Sequence, residues 1–297
     1  MPSIFSDFDW SWRGVRVRET GAEIPFSWNL VSDIWRGGSY IIIEYFRPRP
    51  KKQFGINFAQ KAPRGWYLIW GALRQAGLRS DSVAPICLHF SDTTIMADSK
   101  LDDRLHINGR CLDISKSHVA QTFESIFGYS LALDPSTANE PYLEKGEENG
   151  IHDATIEVEP KPAEPGRVYQ RLIDNRTEDS TVLDYRAPTV FGHIPLIFLK
   201  ERPINKRFDN LNTRVRMAKP EDCFSKDELE KIKSFCIAMQ LDWGGLDILR
   251  HSGDGRIYIV DVNKTDMGPP LSLPIKDKLS AVKMLGLSLK EALKDRL

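Results

Sequence analysis

Apolar residues recur along this chain with two periods, and the period assigns the elements. Trp66, Ile69, Trp70 and Leu73 fall at the i, i+3, i+4, i+7 spacing of one helix face, which predicts a helix within Gly65 to Gly77. The internal Gly71 weakens that helix, and Gly77 suits its C-terminal end. Val119, Phe123, Ile126 and Phe127 predict a second helix, with Ser115 or Ser117 as its cap. A third follows Ser225, where Glu228 completes a capping box and Leu229, Ile232, Phe235, Cys236 and Met239 lie at helical spacing. One or two terminal helices are expected over 275–297.

Short β-branched or apolar runs read as strands. These are Tyr40 to Phe46, Ala84 to Phe90, Leu131 to Leu133, two strands around a polar loop in Pro141 to Ile156, Val168 to Asn175, and two strands within Val182 to Lys200. Glu159 to Gly166 is Pro-rich and reads as an extended connection. Leu241 to Pro270 reads as a hairpin: Leu246, Ile248 and Ile257 to Val260 supply the strands, and Ser252, Gly253, Asp254 and Gly255 the turn. Strand, helix and strand near the start predict a small α/β unit. The dense Trp10, Trp12, Trp28 and Trp35 are read as packing a domain edge rather than stacking on a ligand.

Composition narrows the partners. Lys plus Arg equals Asp plus Glu at 41 each in 297 residues, so no global attraction to nucleic acid or to an acidic membrane is implied. The N-terminus lacks the uninterrupted apolar stretch of a signal peptide, and no run approaches a membrane span. Cys87, Cys111, Cys223 and Cys236 are scattered, with no C-x-x-C and no Cys/His cluster in sequence. That pattern argues against zinc and against a disulfide framework, and leads us to expect a cytoplasmic protein.

The hairpin carries the clearest chemistry. If its strands pair, Asp247 comes close to Asp261 and Asn263, and the last two share a face because they are two apart. Oxygen ligands on a rigid hairpin suit Mg²⁺, which fills its remaining positions with water and phosphate. Taken alone, the same residues also read as surface positions on an amphipathic hairpin.

The order of short motifs resembles the ATP-grasp superfamily from about Asp102 onward. In that family an acidic residue on one strand and E-x-N or D-x-N on the next hold Mg²⁺ against ATP. Asp247, Asp261 and Asn263 match those positions, with Asp261 in place of the commoner Glu. The resemblance implies an α/β (α+β) ATP-grasp fold. It comprises a small N-terminal domain (1–101), a central subdomain (102–167) and a C-terminal subdomain bearing the metal site (168–297).

The same resemblance implies that Lys116 and Lys145 reach the ATP phosphates, with a loop of Gly146 and Gly150 closing over them. The loop departs from expectation in carrying Glu147, Glu148 and Asp153, which would face solvent or help hold cations. Gln170, Arg171, Leu172 and Ile173 are expected as the adenine hinge and Asp174 as the ribose ligand. Arg186, Lys200 and Arg202 are expected at the phosphates and the reaction centre. Arg207, Phe208, Asn210 and Asn212 are expected in a loop over the triphosphate, and His152 is read as an incidental loop histidine.

The implied activity is a carboxylate–amine ligase that forms an acyl phosphate. A small-molecule kinase or a nucleotide-binding module without catalysis are the alternatives. ATP, Mg²⁺ and an unidentified small-molecule carboxylate or hydroxyl compound are the expected ligands, and a homodimer is left open.

Overall fold

The computed structural model describes residues 8–11, 14–17, 23–25, 28–150, 153–177, 180–207 and 213–297. Trp12, His152, Phe208, Asn210 and Asn212 lie outside the described residues. The chain opens with three antiparallel strands, β1 (Phe8–Ser11), β2 (Gly14–Val17) and β3 (Glu23–Pro25), followed by helix α1 (Trp28–Phe46). A four-stranded parallel sheet in the order β5-β4-β6-β7 comes next. Its parts are β4 (Gly55–Phe58), helix α2 (Leu68–Gln75), β5 (Arg79–Ser80), β6 (Ile86–Leu88) and β7 (Leu105–Ile107).

The strand expected over Tyr40 to Phe46 is instead the last two turns of α1. Tyr40 and Glu44, four apart, are the buried positions, whereas Ile42 and Ile43 are exposed. A buried carboxylate interrupts the apolar pattern, so the helical period is hidden from a reading of hydrophobicity. Glu44 accepts hydrogen bonds from Gln75 Nε2 (2.5 Å) and Arg47 Nη1 (3.2 Å). Arg74 Nη2 donates to the carbonyls of Glu44 and Tyr45 (2.7 and 2.6 Å), satisfying carbonyls that the helix end leaves open.

Helix α3 (Lys116–Phe127) starts at Ser115, whose hydroxyl accepts from the His118 amide, and ends at Gly128 with φ of 80°. The expected strand at Leu131 to Leu133 does not form; Ala132 makes only an isolated bridge to Gln170. Strands β8 (Tyr142–Gly146), β9 (Thr155–Glu157) and β10 (Arg167–Arg171) form an antiparallel sheet ordered β10-β8-β9.

The largest sheet is antiparallel in the order β13-β12-β11-β14-β15. It is built from β11 (Thr181–Val190), β12 (Ile197–Pro203), β13 (Arg214–Ala218), β14 (Trp243–Arg250) and β15 (Ile257–Asn263). Helices α4 (Pro220–Cys223) and α5 (Lys226–Ala238) lie between β13 and β14, and α5 carries the complete Ser225/Glu228 capping box. One hydrophobic core unites α3, α5 and this sheet through Phe123, Phe235, Leu246 and Ile259.

Helix α6 (Ile275–Lys294) returns to the N-terminal sheet and shares a second core with α2 through Leu68, Ala72, Val282 and Leu285. Gly71 makes this crossing possible. A Cβ there would stand 2.8 Å from Val282 Cγ1 and 2.6 Å from Tyr40 Oη. Asn108 ties the two halves together: its Oδ1 accepts from the amides of Asp242 and Trp243, both at 2.9 Å.

The cysteines are less scattered than their sequence spacing implies. Cys87 meets His89 and His106 on the N-terminal sheet, one donor atom from each lying within 4.8 Å of the others. Among the described residues no helix is long and apolar enough to cross a membrane.

Candidate functional site

A cavity of about 300 Å³ lies between the three-stranded and five-stranded sheets, a size within the range of small-molecule sites. Strand alternation decides what faces it. On β14, Leu246 and Ile248 point into the core while Asp247 and Leu249 line the cavity. On β15, Ile259 and Val262 are buried, and Val260 and Asp261 line the cavity. Two neighbours on one strand share that face because the ladder slips between Asp247↔Asp261 and Ile248↔Ile259, leaving Val260 as the extra residue of a bulge.

Asp247 and Asp261 therefore stand directly opposite each other. Like charges across a ladder repel, so the arrangement favours a cation between them. Burial works against the charge of Asp247, but the neighbouring Arg186 and Lys200 outweigh it and hold its carboxyl at about 2. Arg186 Nη1 donates to Asp247 Oδ2 at 2.8 Å, and Lys200 Nζ lies 3.6 Å from Oδ1.

Burial and the Asp247 charge push Asp261 above the usual carboxylate range, while Lys145 and Lys116 pull it down. Among the described residues, Oδ1 of Asp247 and Oδ1 of Asp261 are both buried without a hydrogen-bond donor. Two such carboxylate oxygens on residues opposite each other in the ladder are a donor set that fits Mg²⁺. Asn263 is engaged elsewhere: its Oδ1 accepts from the amide and hydroxyl of Thr265 (2.9 and 3.3 Å), and it does not line the cavity.

Cations occupy the surrounding walls. Lys116 at the start of α3, Lys145 on β8, and Lys200 and Arg202 on β12 all line the cavity. Lys145 makes no ion pair or hydrogen bond within the described residues, and burial brings its ammonium down to about 8 against the pull of Asp261. Arg202 pairs with Asp184, which burial pushes upward and Arg202 pulls down. Arg186 lies behind the cavity wall, where its Nε and Nη2 donate to Asp266 Oδ1 at 3.1 and 2.8 Å. Gly245 is required beside it, since a Cβ would collide with Asp266 Oδ2.

The acidic loop after β8 uses its charges locally. Glu147 accepts from the amide and hydroxyl of Ser117 (3.1 and 2.9 Å) at the N-terminus of α3, where the helix favours negative charge. The Glu148 carbonyl accepts from Lys116 Nζ, so the loop is fastened beside that lysine. Asp153 accepts from the Gly146 amide (2.9 Å) and pairs with Arg167.

Of the residues expected at the adenine, Gln170, Arg171 and Ile173 line the cavity. Gln170 Nε2 is buried without an acceptor among the described residues. Arg171 is paired with Glu140 (2.5 Å), and the Ile173 carbonyl accepts from Arg207 Nη2 (2.8 Å). Leu172 and Asp174 lie outside the lining, and Asp174 pairs with Arg176 (2.5 Å). Sequence reasoning overlooked Asp184 and Asn175, which line the wall. Asp184 was within reach as the i−2 neighbour of Arg186 on one strand, whereas nothing local distinguished Asn175.

No protein-family model matches the chain, and no curated protein matches it. It does resemble solved structures. One is the ATP-grasp ligase PsnB complexed with a minimal precursor: TM-score 0.41, 13% identity, over 61% of this chain and 64% of PsnB. Another is a RiPP-associated ATP-grasp ligase of Chryseobacterium gregarium in complex with ADP and a leader and core peptide: TM-score 0.38, 13% identity, over 61% of this chain and 60% of that one. The chain thus spans less than two thirds of both ligases. A third is the D-cycloserine synthetase DcsG: TM-score 0.47, 10% identity, over 80% of this chain and 99% of that one. In fold, the chain is similar to ATP-grasp ligases of solved structure.

Proposed function

We propose that this protein is an ATP-dependent ligase of the ATP-grasp type, activating a carboxylate as an acyl phosphate for attack by an amine. The observation that carries this reading is the Asp247/Asp261 pair, with two buried carboxylate oxygens that accept no hydrogen bond among the described residues, at one end of a cavity whose walls hold Lys116, Lys145, Lys200 and Arg202. Asp247 and Asp261 would hold Mg²⁺, which neutralises phosphate charge and orients the transferring group.

The lysines and Arg202 bind the polyphosphate as fixed positive charges in a half-enclosed space, where each is worth more than in water. Arg186 acts as a positioning residue, because its guanidinium is shared between Asp247 and Asp266 and fixes the rotamer of Asp247. Gln170 offers a buried amide donor to the base. Asp184 holds Arg202 in place.

The test is ADP release with Mg²⁺ from pooled carboxylates and amines, repeated with hydroxylamine as the trap. Substrate-stimulated ADP release with hydroxamate formation supports the ligase. A phosphorylated alcohol as the product would replace this reading with a kinase. Nucleotide binding without stimulated turnover would reduce it to a binding module.

A further inference from the structure

The N-terminal sheet carries a second group of chemically competent side chains, none of which lines the cavity. Cys87 sits on β6, and His89 immediately follows that strand. The ladder continues past it, because the His89 amide donates to the Ile107 carbonyl at 3.0 Å. Two residues apart on an extended chain, Cys87 and His89 present their side chains on one face, and Ile86 and Leu88 enter the core on the other. The parallel register of β6 and β7 sets His106 directly beside Cys87.

The hydrogen bonds orient these groups further. His106 Nε2 lies 3.0 Å from Asp102 Oδ1 and must donate to it, because an ionised carboxylate only accepts. In the neutral ring that leaves His106 Nδ1 with its lone pair, and it faces His89 Nε2 at 2.8 Å. Asp102 is itself held by Arg104, whose Nη2 lies 2.7 Å from Oδ2. Gly109 runs close to both histidines: a Cβ there would stand 2.7 Å from His106 Cβ and 3.3 Å from His89 Nε2.

Cys and His donors converging from one sheet face, with a carboxylate behind one histidine, match the ligand chemistry and outer support of a zinc site. Around a tetrahedral zinc ion such donors stand roughly 3.3–3.8 Å apart, given bond lengths of about 2.0–2.3 Å. The two ring nitrogens therefore need to separate by only about half an ångström.

We propose that Cys87, His89 and His106 bind a divalent transition metal of the zinc class, with Asp102 positioning His106 and a water in the fourth place. On binding, the Cys87 thiol proton passes to solvent and the His89 ring proton moves to Nδ1, so that a thiolate and two nitrogen lone pairs face the metal. The ion then pins β6 to β7.

Titration of the 297-residue chain with Co²⁺, in excess Mg²⁺ to occupy carboxylate sites, tests this. The expected result is one equivalent of cobalt with tetrahedral visible bands and a near-ultraviolet thiolate charge-transfer band, bleached by Zn²⁺. Cys87→Ala removes the charge-transfer band, and Asp102→Asn weakens affinity about 10–100-fold. A folded wild type without these bands, or a charge-transfer band retained in Cys87→Ala, overturns the proposal. If Cys87→Ala fails to fold, Asp102→Asn decides at an exposed residue, and unchanged affinity there counts against the site.

Discussion

Replacing Asp261 with Asn should stabilise the metal-free protein and abolish its response to Mg²⁺ and nucleotide. Asp261 stands opposite Asp247 on the adjacent strand, where facing side chains begin about 5 Å apart. At that separation and an effective dielectric near 20, two full negative charges repel by about 3 kcal/mol. Lys145 and Lys116 pull in the other direction, which leaves a net gain on neutralisation of about 1–2 kcal/mol. The introduced amide keeps the shape of the carboxylate and can donate to Asp247 Oδ1, which now lacks a donor.

With metal and nucleotide the sign reverses. A ligand at 100 times its Kd adds about 2.7 kcal/mol to the wild type, and the variant that cannot hold the metal gains little of it. Urea unfolding in EDTA and in Mg²⁺ with ADP, on both proteins, reads the two effects as midpoint shifts. A variant less stable than wild type in EDTA would refute the repulsion argument. A variant stabilised by Mg²⁺ and ADP as much as wild type would refute the assignment of the carboxylates to metal.

Three further outcomes follow from other parts of the structure. Lys145 sits at about 8, so its charge is lost between pH 7 and 9, and ATP affinity should fall up to about tenfold over that interval; direct binding measurements should find the fall absent in Lys145→Arg. Burial first, against a hydrogen bond from the Asn108 amide, raises Asp242 from 3.8 to about 6. The fold thus favours its protonated form, so this group's stabilisation is complete below pH 3.8 and is lost as pH rises to about 6; Asp242→Asn should flatten that fall and raise stability at pH 7 by about 1–3 kcal/mol in chemical denaturation. Gly71→Ala gains about 1 kcal/mol of helix propensity but crowds Val282 and Tyr40 at a cost of about 1–3 kcal/mol, so urea unfolding should report net destabilisation; an unchanged midpoint would mean that α2 and α6 move apart freely.

What could be read in the sequence was whatever is local. The capping box of α5 needs only Ser225 and Glu228, three residues apart, and both of its hydrogen bonds are present. The strands of the β14/β15 hairpin are likewise written in local spacing, whereas the helix face read for α2 is half right: Trp66 precedes the helix and Trp70 is half-buried, while Leu68 and Ala72 join Ile69 and Leu73 in the core. Failures came where a distant partner reversed the local meaning. Ile41, Ile42 and Ile43 resemble a strand until Gln75 and Arg74 justify a buried Glu44 one turn away. Cys87 and His89 resemble incidental core residues until β7, across a parallel crossover, brings His106 alongside. The bulge at Val260 has no residue-type signature, yet it decides that Val260 and Asp261 share the cavity.

Arg186 shows why order along the chain predicts proximity better than it predicts role. It lies on the strand adjacent to Asp247, in register with it, so any reading that brings β11 beside β14 brings the two together. Whether a guanidinium there meets a substrate depends on what else claims its five donors. Asp266 takes two of them and Asp247 a third, in a wall where Gly245 leaves room for the cluster and no room for a side chain of its own. An arginine so occupied cannot swing toward a phosphate without leaving Asp266 buried and unpaired, which costs several kcal/mol. Lys145, without any ion pair among the described residues, has no such tie. What sets Arg186 apart from Lys200 and Arg202, which also stand beside carboxylates but line the cavity, is its place behind the wall with the buried Asp266, and that is a property of the folded cavity rather than of any motif.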